Sequence, residues 1–333
     1  MNDADQPRHR VAAIDIGTVS SRLSLAEVAG GRVLAARKHT EITDLGQGVD
    51  ATGRFAADAV ARVVDACRVF VDEARAFGAE AVSTTLTSAA RDAANAEELL
   101  GPLRELGLIP QVIPGEVEAR LTFYGVAHDF PGERIAVADS GGGSTEIAVG
   151  SYLPESGVLE LERVQSLDIG CRRVTDRFLA GDPPCGADIL RAGRWAAEQF
   201  EAYWCDLPDR PERLVAVGGT VTTLVALTHE LVPYDSSFVH LRSLSALEVE
   251  RAIDRMRKLP AAAIAELPGI QPKRAPVMLA GAVVIRELMR AGGYDSLTVS
   301  ENSLLAGAAS TIGEVLAGEQ PAVGWTPELS RLA

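Results

Sequence analysis

The sequence predicts an α/β chain of two related domains, and three observations carry that prediction. Apolar residues make up 47% of the 333 positions and aromatics only 5%, the composition of a globular α/β protein rather than a disordered one. Short apolar runs that end in glycine turns alternate with stretches whose apolar residues recur at helical spacing. One segment also occurs twice, as Val11-Ala12-Ala13-Ile14-Asp15-x-Gly17-x-x-Ser20 and as Ile135-Ala136-Val137-Ala138-Asp139-x-Gly141-x-x-Ser144. Strand, Asp, Gly and Ser fall at identical offsets, which points to a duplicated domain. The length is itself too great for one typical small core.

The elements follow in order. Val11–Ile16 is a short apolar run read as a buried strand. Arg22–Val28 alternates apolar and polar residues, and Arg32–Thr40 follows after Gly30-Gly31, making an antiparallel meander. Val60, Val63, Val64, Cys67, Phe70 and Val71 keep helical spacing within a helix expected from Phe55 to Phe77. A strand (Ala81–Leu86), a helix (Ala96–Leu106), a short strand (Gln111–Ile113) and a helix (Glu116–Val126) come next. Near His128–Glu133 the pattern restarts with strands at Arg134–Asp139, Thr145–Val149 and Leu161–Leu167. Helices are expected at Arg172–Leu179 and Asp188–Trp204, a strand at Arg213–Val217, and a helix from Thr220. Late helices span Leu247–Leu259, Ala275–Arg290 and Ser303–Ala317. The expected boundaries are 1–128 for the first domain and 129–318 for the second, with the last helix free to cross back to the first. Residues 319–333, with Pro321 and Pro327, read as a loose tail.

Several function classes are disfavoured. A net charge of −14 argues against a broad basic surface for nucleic acid or membranes. It also means that any polyanionic substrate needs a local basic pocket or a divalent cation. No apolar run approaches the ~18 residues of a membrane span, and the polar start lacks a signal-peptide core. Cys67, Cys171, Cys185 and Cys205 show no CxxC pairing and read as reduced thiols, so a cytoplasmic location is expected. The five histidines show no metal-ligand spacing.

The chemistry concentrates in the turns. Gly141, Gly142 and Gly143 leave backbone N–H groups unobstructed for phosphate oxygens, with the hydroxyls of Ser144 and Thr145 beside them. The first turn supplies Gly17, Thr18, Ser20 and Ser21, with Arg22 close by. The plain alternative for each is a tight hairpin whose glycines permit positive φ. Asp15 and Asp139 end their strands where a carboxylate could hold Mg²⁺ through water, or could instead cap its own turn. Glu146 lies seven residues after Asp139. Glu118 and Glu146 form the candidate acid–base pair, since in-line cleavage of a phosphoanhydride needs a carboxylate to orient the water and take its proton. Glu116 and Glu118 equally suit the first turns of a helix, where they complement its dipole. Gly218-Gly219-Thr220 ends a strand and opens a helix able to hold an anion, without the GKS/T of a P-loop. Arg91 follows another strand and could reach a bound phosphate. Arg172-Arg173 and Lys273-Arg274 read as solvated basic pairs.

These segments resemble the exopolyphosphatase and guanosine pentaphosphate phosphatase family of the actin, sugar-kinase and heat-shock-chaperone superfold. The resemblance rests on Asp15–Leu23, Leu45–Gly53, Thr87–Asn95, Glu116–Leu121, Asp139–Glu146, Ser166–Thr175, Gly218–Thr220 and Ser300–Asn302, spanning residues 11 to 312. It implies two ribonuclease-H-like (actin-like) domains with a central interdomain cleft, in a form without the C-terminal domains of longer members. It implies Glu118 as base on the attacking water, with Glu146, Asp139 and Asp15 at Mg²⁺, Mn²⁺ substituting. Arg91 would bind the terminal phosphate, and the glycine turns would cradle phosphoryl groups. The implied activity releases orthophosphate from inorganic polyphosphate, favouring short chains. Guanosine pentaphosphate (pppGpp) is the rival substrate, a sugar-kinase-like transferase and a non-catalytic sensor are rivals of other classes, and a homodimer is carried as an expectation. The chain departs from the family pattern at Val19, Asp44, Pro276 and after Asn302, positions that bear on ligand geometry.

Overall fold

The structure, a computed structural model, describes residues 7–207 and 209–332. The polar opening stretch and the end of the expected tail fall partly on residues 1–6 and 333, outside the described residues. The chain divides into two compact units. One takes the described residues through Gly132 together with Ser151–Glu160 and those from Ser303 onward; the other takes Glu133–Gly150 and Leu161–Asn302.

In the first unit, β1 (His9–Ile16), β2 (Ser20–Ala29) and β3 (Arg32–Ile42) form the meander that the apolar runs predict. The chain continues through α1 (Val49–Thr52), α2 (Ala57–Phe77), β4 (Ala81–Leu86), α3 (Ser88–Asp92), α4 (Glu97–Glu105), β5 (Pro110–Val112) and α5 (Gly115–Ala127). The sheet order is β3-β2-β1-β4-β5, antiparallel across the meander and parallel from β1 through β4 to β5. One sheet face buries Ala12, Ile14, Ile16, Leu23 and Leu25 in a core shared with Val63, Cys67, Phe70, Val71 and Ala74 of α2. The helical spacing of those α2 residues is what turns one stripe inward.

The second unit repeats the plan with β6 (Ile135–Ser140), β7 (Thr145–Leu153), β8 (Val158–Leu167), α6 (Cys171–Phe178), α7 (Gly186–Cys205), β9 (Arg213–Val217) and α8 (Gly219–Thr228). It continues through α9 (Ser236–Val239), β10 (Arg242–Ser245), α10 (Ala246–Met256), α11 (Ala261–Ile264), α12 (Ala275–Gly292) and β11 (Ser296–Val299). The order here is β10-β11-β9-β6-β7-β8, with β6–β7 antiparallel and β6–β9–β11 parallel. The two sheets share the connectivity of a ribonuclease-H-like, actin-like fold. β10 and β11 were not expected: four residues each is too short for a period to register.

The final helix, α13 (Leu304–Leu316), belongs to the first unit and packs on β1, β2 and α5. Its approach to α5 is close enough that a Cβ on Gly307 would lie 1.9 Å from the Leu121 carbonyl oxygen. The last helix thus crosses back to the first unit, as the sequence left open, because the apolar face of α13 is buried on the first sheet rather than the second. The expectation of a loose tail is also corrected. Val82 N donates to Ser330 O at 2.9 Å and Ser330 N to Val82 O at 2.8 Å. The cause lies in β5, which pairs only with Thr84–Leu86 and leaves the ladder groups of Val82 open. A passing segment satisfies them, as buried backbone polar groups require. Ile109 N donates to Ser330 Oγ, and Val323 is fully buried. No helix among the described residues is long and apolar enough to cross a membrane.

Candidate active site

The repeated motif folds into a repeated turn. Gly17 N donates to Ser20 O at 2.9 Å, and Gly141 N donates to Ser144 O at 3.0 Å. Each turn closes a strand pair, β1–β2 in one unit and β6–β7 in the other. Each therefore holds its Asp directly opposite a residue of the next strand, and facing residues in an antiparallel pair share a sheet face.

In the first unit the partner of Asp15 is Arg22. Arg22 Nε and Nη2 donate to Asp15 Oδ2 at 3.0 and 2.6 Å, which satisfies one oxygen of a carboxylate that is 1% exposed. Among the described residues Asp15 Oδ1 has no hydrogen-bond partner. A buried acceptor without a partner is costly, so a further group is owed there. Thr18 and Ser21 are buried in the same turn, and Ser21 Oγ lies 3.0 Å from Thr43 Oγ1.

Arg91 and Glu118 meet. Arg91 lies in the last turn of α3, Glu118 in the first turn of α5, and Arg91 Nη1 donates to Glu118 Oε2 at 2.8 Å and to Ile113 O at 3.0 Å. Glu118 is buried. The residue expected to reach a phosphate thus also anchors the expected base. Further along α5, Tyr124 donates to Glu314 Oε1 of α13 at 2.7 Å, and burial raises the pKa of both groups.

In the second unit Asp139 faces Glu146 across β6–β7, both buried. Ser166 Oγ of β8 donates to Glu146 Oε1 at 2.7 Å, and Thr145 Oγ1 donates to Ile169 O at 2.6 Å. Gly218 caps α8 at φ 100°, and a Cβ there would stand 3.0 Å from Asp139 Oδ1 and 2.9 Å from Ser140 O. Only glycine lets the helix start this close to the carboxylate. Asp139 consequently sits at the positive end of α8, next to Gly219 and Thr220. The Arg274 guanidinium packs against Gly219. Tyr234 donates to Glu301 Oε1, and burial followed by the Glu301 charge raises the Tyr234 pKa.

The basic pair Arg172-Arg173 was expected in solvent and is not. The two residues are 6% and 8% exposed, in the first turn of α6. Cys171 N donates to Gly141 O at 3.0 Å, while Arg172 N and Arg173 N donate to Gly142 O at 2.8 and 3.1 Å. Arg173 Nε donates to Gly143 O at 2.7 Å. Among the described residues, the N–H groups of Gly142 and Gly143 have no backbone acceptor. Ser166 and Arg173 are the residues the sequence reasoning passed over, although both lie inside the segment Ser166–Thr175 quoted for the family resemblance.

Among the described residues no group of three or more His, Cys, Asp or Glu side chains is arranged to hold a metal. The facing pair Asp139 and Glu146 suits Mg²⁺, which is commonly bound through one or two carboxylates, water and substrate phosphates.

Comparison with known proteins adds the following. The profile of the Ppx/GppA phosphatase family matches residues 25–310. Exopolyphosphatase 2 of Mycobacterium tuberculosis is 37% identical over 320 residues, covering 91% of this chain and 98% of the relative. Among solved structures, an exopolyphosphatase-like protein superposes with a TM-score of 0.85 at 32% identity, covering 93% of this chain and 99% of its own. The Ppx/GppA family member of Aquifex aeolicus gives a TM-score of 0.74 at 31% identity, with 94% and 99% covered.

Proposed function

Because the chain belongs to the Ppx/GppA phosphatase family, we propose that it is an exopolyphosphatase, hydrolysing the terminal phosphoanhydride of inorganic polyphosphate to release orthophosphate. The single observation that carries this reading is its likeness to exopolyphosphatase 2 over nearly the whole of both chains. The geometry supports it at each step the reaction needs. Two matching turns present amide and hydroxyl donors to phosphoryl oxygens. The buried carboxylate of Glu118, fixed by Arg91 at 2.8 Å, is the group we assign as base on the attacking water. Arg91 is assigned a second task, neutralising charge on the terminal phosphoryl group.

Mg²⁺ fits the residues present, with Mn²⁺ as a substitute. Asp139 and Glu146 would hold it; Asp15 is the further carboxylate of the proposal, its Oδ1 lacking a hydrogen-bond partner among the described residues. When bound, the ion supplies charge neutralisation at the phosphoryl oxygens. Ser166 and the α8 N-terminus orient Glu146 and Asp139, the α8 N-terminus through its close approach at Gly218. A cytoplasmic location is part of the reading, supported by the four free cysteines and the absence of a spanning helix among the described residues. A homodimer remains an expectation for size-exclusion chromatography.

The test measures orthophosphate released in parallel from short polyphosphate, long polyphosphate and pppGpp. Turnover of short polyphosphate above the other two is the expected result. Faster release from pppGpp transfers the assignment to that substrate, tight binding without release makes the chain a sensor, and phosphate transferred to an added sugar makes it a kinase.

A further inference from the structure

We propose that Arg173 is a positioning residue whose guanidinium fixes the glycine turn Gly141–Ser144 in the conformation that grips a phosphoryl oxygen. The inference rests on the reading of that turn as a phosphate cradle.

The carbonyls of the turn are drawn to one side. The first-turn amides of α6 take those of Gly141 and Gly142, and Arg173 Nε takes that of Gly143 at 2.7 Å. In a trans peptide the C=O and the following N–H point in opposite directions. Pulling three successive carbonyls toward α6 therefore turns the N–H groups of Gly142, Gly143 and Ser144 away from it, as a concave set of donors. The backbone of α6 reaches only as far as Gly142 O. Beyond that point the orientation of the turn depends on a side chain.

The twin turn makes the same demand and meets it differently. With the repeat aligned, Val19 corresponds to Gly143 and Thr18 to Gly142. Val19 O accepts from Thr43 N at 3.1 Å and Asp44 N at 2.9 Å, and Thr18 O accepts from Gly46 N at 2.8 Å. Asp44 stands at φ 47°, a left-handed position, as it does so. In one unit a backbone loop holds this carbonyl; in the other Arg173 does. Burying a guanidinium to 8% exposure is costly unless its donors are satisfied, and the Gly143 carbonyl satisfies Nε.

The test uses the full chain with Mg²⁺ present, and titrates non-hydrolysable imidodiphosphate by calorimetry beside steady-state kinetics on short polyphosphate. Arg173→Met removes the donor and is expected to weaken imidodiphosphate binding and kcat/KM together by about 10- to 100-fold, the range for loss of a charged hydrogen bond. Arg173→Lys keeps the charge without the planar Nε–H donor, so it is expected to be weakened about tenfold and decides the matter if the Met variant does not fold. Methylguanidine added to Arg173→Ala should restore part of the affinity, which a merely structural role would not allow. Binding by Arg173→Lys within about threefold of the unsubstituted chain, with no methylguanidine effect, overturns the proposal. An unsubstituted chain that binds imidodiphosphate yet releases no phosphate would sink the hydrolase reading alone, leaving Arg173 to be judged by affinity.

Discussion

Replacing Glu118 by Gln separates chemistry from binding more cleanly than any other single change. The amide keeps an oxygen that can accept from Arg91 Nη1, and Arg91 keeps its bond to Ile113 O, so both of these contacts survive the change. What is lost from the fold is charge assistance in one bond, about 1 kcal/mol. For a chain of this size that lowers the thermal midpoint by only about 2–4 °C. If Glu118 is the base, as proposed, what is lost from the reaction is the proton acceptor. General-base catalysis contributes about 10²- to 10⁴-fold, which is about 2.7–5.4 kcal/mol in the barrier. The chemical term therefore exceeds the structural one severalfold. Single-turnover phosphate release should fall by at least about a hundredfold while calorimetric affinity for imidodiphosphate stays within about threefold. Turnover close to that of the unsubstituted chain would remove Glu118 from the base role. Equal losses in affinity and rate would make it a binding residue instead.

Three further outcomes are expected. Gly218→Ala forces an L-residue to φ 100° and places a Cβ 2.9 Å from Ser140 O, so it should cost about 1–3 kcal/mol of stability in denaturant unfolding and raise KM. EDTA should abolish phosphate release, and added Mg²⁺ or Mn²⁺ should restore it; activity that survives exhaustive chelation excludes the metal role of Asp139 and Glu146. For His39, burial lowers the pKa, but hydrogen bonds and charge from Glu73 and Glu41 outweigh it and the net shift from 6.5 is upward. The folded state thus binds the proton more tightly, and this contribution to stability is fully present below pH 6.5 and lost as pH rises through the raised value. Unfolding midpoints across that window should fall with pH in the unsubstituted chain and flatten in His39→Gln.

Much of this fold was legible because burial writes a period into the sequence. β1 is apolar at every position from Val11 to Ile14 since helices cover both faces of its sheet, and α2 shows its buried stripe at helical spacing. The duplication was legible because two turns with one hydrogen-bond pattern need glycine and serine at the same offsets. Other features leave no such trace. Arg91 and Glu118 were each singled out, yet their pairing joins positions 27 apart through the tertiary fold. Arg173 read as solvated because charged residues usually are, and only the backbone of the neighbouring turn explains its burial. The Ser330 bridge is a single ladder rung filled because β5 is short, which no local pattern announces.

The return of α13 to the first unit has a consequence for how the protein is made. The segment through Gly132 leaves the ribosome first, yet the helix that covers the second face of its sheet comes only with Leu304–Leu316, and the rung at Val82 only with Ser330. At translation rates of about 5–20 residues per second, the roughly 200 intervening residues take about 10–40 s. During that interval Val11, Ala13, Ala26 and Val28 lack the helix that buries them, while the unit made later already has its last strand, Ser296–Val299. The unit synthesised first is thus the one completed last, and a nascent chain stalled before residue 304 would present an apolar sheet face to the chaperones of the cell.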